Sequence, residues 1–181
     1  KELLMHVLQV AKNFLSLRLK IWTKQKSFVR DKLKKKVMNN TKDILSKYKS
    51  IAMIGVSNDP TKASTIVMKY MQNYGYKVYP INPSAKGQKI LGEEVFEKIT
   101  DIKEPVEIVD VFRPSREALE IAKDTIKIGA KVLWLQLGIK NAEAKLIVES
   151  NNIEYIEDRC TKMEYQKHFL RIRQAFPVLQ N

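Results

Sequence analysis

The sequence predicts an α/β protein: a doubly wound, parallel, five-stranded sheet with helices on both faces, preceded by an N-terminal amphipathic helical arm. Three observations carry that expectation. Five short apolar runs recur at intervals of roughly 25 to 30 residues, the first, third and fourth followed by a stretch with helical periodicity. The runs are near-continuous in Val and Ile, as befits strands covered on both faces. Finally, of a net charge of +13, +9 falls within residues 1–37 and only +4 on the remaining 144. The basicity therefore belongs to an arm (1–37) and not to the domain (38–181). At 181 residues the chain accommodates one domain with a real core plus such an appendage. One cysteine, Cys160, rules out an internal disulfide framework and fits a reducing compartment. With no apolar run near the roughly 18 residues of a membrane span, the expectation is a cytoplasmic protein.

In the arm, Leu3, Val7, Val10, Phe14, Leu17 and Ile21 repeat at spacings of four and three, one face of a helix, and Leu4, Leu8, Leu15 and Trp22 widen it. A basic amphipathic helix suits an anionic membrane, a partner helix or nucleic acid. It suits equally well burial on its own domain or on a twin subunit, and it is poorer in Arg and Ser than a transit peptide. "MNNTKDILSKYKS", from Met38, reads as the natural opening of a compact protein, which would make residues 1–37 an upstream extension.

The domain's elements follow in order. "DILSKYK" is a short helix with Asp43 as its cap. "SIAMIGV" is the first strand, and Ala63 to Tyr74 is a helix that Gly75 closes. "YKVYPIN" is the second strand, followed by the loop "PSAKGQKILGEEVF". "PVEIVDVF" is the third, leading into a helix from Ser115 to Ile128 that stops at Gly129. "AKVLWLQ" is the fourth, then a helix from Ala142 to Ser150, and "IEYIE" is the fifth. Strand–helix–strand units with right-handed crossovers make the sheet parallel and doubly wound.

Ligands of such sheets sit outside the carboxyl ends of the strands, so those loops hold the candidate site. After the first strand, Gly55 opens a turn into a helix N-terminus, where free N–H groups and the dipole favour an anion. Ser57, Thr61 and Ser64 add hydroxyls and Lys62 a positive charge; the plainer reading is a helix start capped by Ser64 or Thr61. The second strand ends in "YPINP", where a dinucleotide-binding unit would carry an acid for the ribose. Here Asn82 stands between Pro80 and Pro83. With no G-x-G-x-x-G either, NAD is disfavoured. The third strand ends at Arg113, either a phosphate clamp beside a helix N-terminus or a surface arginine paired with Glu117. At the end of the fourth, Trp134 reads as core and Gln136 as lying near the crevice. Asp158, Arg159 and Cys160 form a turn after the fifth.

In this order "IGVSNDPTKAS", "YPINP", "GQKILGEEVF", "VDVFRPS", "KVLWLQLGI" and "EDRCTKMEY" resemble the small stand-alone CoA-binding domain proteins, similar to the N-terminal CoA-binding domain of the succinyl-CoA synthetase α subunit. The resemblance covers roughly Thr41 to Phe169. It implies a Rossmann-like fold and coenzyme A, or an acyl-CoA, as ligand, with no firmly established catalysis for most members. By position it implies phosphate contacts from Gly55, Ser57, Lys62 and Ser64, a nucleotide loop lined by Asn82 and Pro83, and Arg113 near the pyrophosphate or 3′-phosphate. Gln136, Leu137 and Gly138 would border the pantetheine path. Val56 stands where the family often has alanine, a side chain expected to narrow the diphosphate's approach.

Catalytic and metal-binding sets are missing from the pattern: His6 and His168 lie far apart, with no Ser or Cys partner placed beside them. Cys160 is the one candidate for a redox-reactive thiol, its pKa expected to fall beside Arg159 and a helix start. The favoured reading is a CoA-binding, non-catalytic or regulatory protein with no nucleic-acid binding through its core. The alternatives are a nucleotide-dependent enzyme (an NAD-type dehydrogenase or an acyl-CoA ligase fragment) and a membrane- or nucleic-acid-associated protein working through its basic arm.

Overall fold

The computed structural model describes residues 41–170 together with Arg18 and Trp22, both helical. The rest of the expected arm helix and the Met38 opening lie outside the described residues. The chain divides between Asn40 and Thr41 into two units.

Within the second unit, residues 41–47 form helix α1. Asp43 therefore lies inside the helix and not at its cap, a correction to the sequence expectation: the helix already includes Thr41. Strand β1 (Ser50–Ile54) leads to helix α2 (Ala63–Asn73) and strand β2 (Lys77–Ile81). A 3₁₀ turn at Pro83–Ala85 and a two-stranded hairpin, β3 (Lys89–Ile90) with β4 (Glu93–Glu94), fill the long loop. Next come β5 (Ile108–Val111), α3 (Ala118–Lys127), β6 (Val132–Leu135), α4 (Ala142–Ser150), β7 (Glu154–Ile156) and α5 (Thr161–Phe169). Of α5 only a helix start beside Cys160 was expected, since its "TKMEYQKHF" carries no clear apolar stripe.

Five strands make one parallel sheet in the order β2-β1-β5-β6-β7. Strand side chains alternate between two cores. Ile51, Met53, Val78, Ile108, Val132, Trp134 and Ile156 face Ile44 and Leu45 of α1 and Val67, Met68 and Met71 of α2, with Tyr165 and Phe169 of α5 packed against them. Ala52, Tyr79, Ile81, Val109, Val111, Leu133 and Leu135 face Ala118 and Ala122 of α3 and Ala144 and Val148 of α4. This two-sided burial is why the strands read as unbroken apolar runs. Pro80 is accommodated because β2 is the sheet's edge. That edge is covered by the segment around Phe96, whose N–H donates to Pro80 O at 2.9 Å and whose carbonyl accepts from Asn82 N at 3.0 Å. Burial and pairing of the edge remove a template for aggregation.

A polar cluster pins α1 to α5. Thr41 Oγ1 donates to Glu164 Oε2 at 2.8 Å and lies 2.9 Å from His168 Nε2. Burial raises the Glu164 pKa, but the hydrogen bonds from Thr41 and Arg159 and the nearby Lys167 outweigh it and leave the carboxyl below its usual range.

Candidate functional site at the strand carboxyl ends

The strand order reverses between β1 and β5, since β1 connects to β2 on one side while the later strands build outward on the other. That reversal opens a crevice at the carboxyl ends of β1 and β5. Gly55 follows β1 with φ +89°, a left-handed conformation, and a Cβ there would lie 2.9 Å from Arg113 Cδ and 3.0 Å from the Phe112 carbonyl oxygen. Only glycine lets the two loops meet so closely.

The turn beyond Gly55 is built from its own polar groups. Ser57 N donates to Ser64 Oγ at 3.2 Å, Thr65 Oγ1 to Ser57 O at 2.7 Å and Asp59 N to Ser57 Oγ at 3.1 Å. Ser64 is buried within the first turn of α2 and serves this closure. Thr61 donates from N and Oγ1 to Asp59 Oδ1, at 2.8 and 2.6 Å, and these bonds hold the Asp59 carboxyl below its usual range. Neither Ser64 nor Thr61 caps α2. Lys62 occupies the cap position, makes no side-chain cap hydrogen bond, and no acidic residue lies in the first turn. The leading amides of α2 therefore keep their attraction for an anion.

Helix α3 differs. It is preceded by a 3₁₀ turn at Ser115–Glu117, with Glu117 at its cap position and Glu120 in its first turn. Arg113 donates from Nε to Glu117 Oε2 at 2.7 Å and from Nη2 to Oε1 at 3.0 Å. This second helix start is already supplied with negative charge, and the arginine is paired as the plainer sequence reading had it.

Val56 is fully buried in the core, so its side chain does not narrow the approach to the turn. Its carbonyl instead accepts from Asn82 Nδ2 at 2.9 Å, while Asn82 Oδ1 accepts from Ser84 N at 3.0 Å. Asn82 thus locks the β2 loop to the β1 loop, with Pro83 exposed beside it. A further bond, Asn58 Nδ2 to Gln88 Oε1 at 2.7 Å, joins the same two loops and was not legible in the sequence.

At the end of β6 the three expected residues part company. Leu137 is exposed (57%) and Gly138, at φ +75°, donates to Asp158 Oδ1 at 2.8 Å. Gln136 turns inward and is buried, its Nε2 donating to Asp110 Oδ1 and Oδ2 at 2.7 and 3.0 Å. Trp134 is fully buried, its Nε1 donating to Arg159 O at 2.7 Å. Cys160 caps α5 by position, but burial pushes its thiol pKa up and the Asp110 charge adds to that, against the bonds from Met163 and Lys162 amides. Burial thus overrides the expected lowering of that pKa, and Arg159 is turned to Glu164 Oε1 at 3.0 Å. Among the described residues no group of three or more His, Cys, Asp and Glu is placed to hold a metal, and no helix is long and apolar enough to cross a membrane.

Residues 49–166 match the family model described as CoA binding domain. The chain belongs to that family. Among its relatives is YneT of Bacillus subtilis, itself uncharacterized, 34% identical over 124 residues that make up 68% of this chain and 90% of that one. A solved Thermus thermophilus structure is 32% identical and superposes with a TM-score of 0.70, over 73% of this chain and 98% of its own. The ADP-forming acetate–CoA ligase of Methanocaldococcus jannaschii is 28% identical over 62% of this chain, which spans 17% of the ligase's length. The family members of matching length are thus stand-alone domains, and the ligase contains a comparable domain as one part of a larger chain.

Proposed function

We propose that this family member binds coenzyme A, or an acyl-CoA, in the crevice at the carboxyl ends of β1 and β5, as a binding or regulatory protein and not as a catalyst. The observation that carries this reading is the start of α2. It is a helix N-terminus with no side-chain cap and no acid in its first turn, at the switch point of the sheet, beside Gly55 and Lys62. CoA brings a diphosphate and a 3′-phosphate, the latter bearing roughly −1.5 to −2 charges by analogy with protein phosphoryl groups. Such an anion gains from the α2 amides and from Lys62. Arg113 joins them by exchanging its Glu117 partner for a phosphate. Leu137, exposed at the end of β6, offers apolar surface to pantetheine. NAD is a poorer fit, since Asn82 is spent on joining two loops and no acid takes the place of a ribose partner there. A synthetase-like activity is not part of the proposal. His168, the histidine within the domain, is engaged by Thr41 and Glu164 on the α1–α5 seam.

Thermal unfolding with matched titrations tests the proposal. At a CoA concentration about a hundredfold above its dissociation constant, linkage stabilises the fold by roughly 2.7 kcal/mol. The expected result is a clear rise in Tm with CoA and little with NAD; an NAD shift exceeding that of CoA overturns the reading.

A further inference from the structure

A diphosphate held at the start of α2 has two ends to house, pantetheine and adenosine. It lies beside β1, which has β5 and β6 on one side and β2 on the other. Leu137, at the end of β6, serves the pantetheine on the first side. The adenosine then leaves toward β2, whose loop carries Gln88 just before β3.

Asn58, in the turn after Gly55, and Gln88 are both exposed, and Asn58 Nδ2 donates to Gln88 Oε1 at 2.7 Å. Among the described residues neither side chain makes another hydrogen bond. Their backbones are tied down on both flanks. Asn58 sits between Ser57, whose N donates to Ser64 Oγ, and Asp59, whose N donates to Ser57 Oγ. Gln88 N donates to Ala85 O at 3.0 Å, and its carbonyl accepts from Val95 N at 2.9 Å. The bond between the two side chains uses one N–H of Asn58 and the oxygen of Gln88. Left open are the Asn58 oxygen, an acceptor, and both N–H groups of Gln88, which are donors. Turning both amides over preserves the bond and again leaves an acceptor beside donors.

Such a pair matches a base that presents a donor next to an acceptor. Adenine does so on both of its polar edges, with its 6-amino group flanked by ring nitrogens, and carboxamides are the side chains that read it. A lysine or a carboxylate supplies only one half of that pattern. We propose, resting on coenzyme A as the ligand, that Asn58 and Gln88 read its adenine: the Asn58 oxygen accepts from the 6-amino group, and the Gln88 amide donates to the adjacent ring nitrogen. The bond between the two side chains is retained, since it uses neither of those groups.

The test compares CoA with etheno-CoA, in which a two-carbon bridge joins the 6-amino nitrogen to the neighbouring ring nitrogen. The bridge removes the amino hydrogens and covers that ring nitrogen, while the phosphates and pantetheine are unchanged. Calorimetric titration of the full chain should show etheno-CoA binding about tenfold more weakly, the scale of one or two lost hydrogen bonds. The double variant Asn58→Ala with Gln88→Ala should bring the two affinities together, with Tm near that of the parent because both side chains are exposed. Gln88→Glu still accepts from Asn58 and keeps the loops joined, but has no N–H for the base. It should also narrow the ratio of the two affinities, which a merely structural clasp between loops would leave unchanged. Repulsion between the new carboxylate and the phosphates acts on both ligands alike, so the ratio reports the base. Equal affinity of the full chain for CoA and etheno-CoA, or a ratio unreduced in either variant, overturns the adenine assignment and leaves CoA binding standing. Failure of the full chain to bind CoA at all overturns both.

Discussion

Arg113 shows what a folded structure adds to a residue's chemistry. A lone arginine beside a crevice reads as a phosphate clamp, but its two forks are held by Glu117, with both side chains partly exposed (48% and 33%). Pairs of this exposure contribute about 0–1 kcal/mol to stability, so the pairing is easily exchanged for a doubly charged phosphate. Arg113→Ala should therefore leave Tm nearly unchanged and weaken CoA binding by roughly 1.5 to 3 kcal/mol, the range for a hydrogen bond to a charged group. Glu117→Gln should do the opposite and strengthen binding, because the arginine no longer has to leave a carboxylate. Calorimetric titration with CoA and dephospho-CoA separates the two phosphate positions: an equal loss with both places Arg113 on the diphosphate. Unchanged affinity in both variants removes it from the site.

At the scale of elements, the two glycines that flank α2 hold their left-handed backbones for different reasons. Gly75 has φ +84° and open space where a Cβ would go; its N–H bonds to Gln72 O at 3.0 Å and that of Tyr76 to Met71 O at 3.2 Å, closing the helix. Gly55 has the same handedness but faces the Phe112 carbonyl at 3.0 Å. Gly75→Ala should cost only the conformational strain, about 1 kcal/mol, and leave CoA affinity alone. Gly55→Ala must also push the β5 loop aside, so it should lower Tm further and weaken binding. Equal effects on binding would show that Gly55 does not shape the site. The same contrast explains what was legible beforehand. Helix stops, capping glycines and apolar strands follow local rules, so α4 is found at its expected bounds, Ala142–Ser150. Gln136 misled because its role depends on Asp110, 26 residues earlier, and on Thr161, 25 later. Helix α5 was expected only as a helix start beside Cys160, because tertiary packing, not an apolar stripe, holds it: Tyr165 meets Tyr70 of α2 edge-on at 6.1 Å between ring centroids, and Glu164 is gripped from α1. Burial that reverses a thiol's expected pKa shift leaves no mark on a local motif either.

At the scale of the whole molecule, the question is how much of the chain the domain needs. Among the described residues, both cores are filled from Ile44 onward, with Ile44 and Leu45 of α1 only 1% and 0% exposed. Thr41 fastens α1 to α5 through Glu164 and His168. A chain beginning at Met38 keeps all of these groups. It should fold cooperatively, stay soluble and bind CoA with nearly unchanged affinity. A chain beginning at Ser50 loses α1 and opens a cavity beside Met68 and Met71. Removing one large buried aliphatic side chain costs about 2–5 kcal/mol, so losing two should leave little of the 5–15 kcal/mol typical of a whole domain, and this shorter chain should not melt cooperatively. The Met38 chain also sheds +9 of the +13 net charge. Any binding of the full chain to anionic vesicles or nucleic acid should go with it, and in the full chain such binding should fall steeply with salt. If the Met38 chain instead aggregates or unfolds, the apolar residues of the arm belong to the folded domain, and the arm is structural, not a partner-binding element.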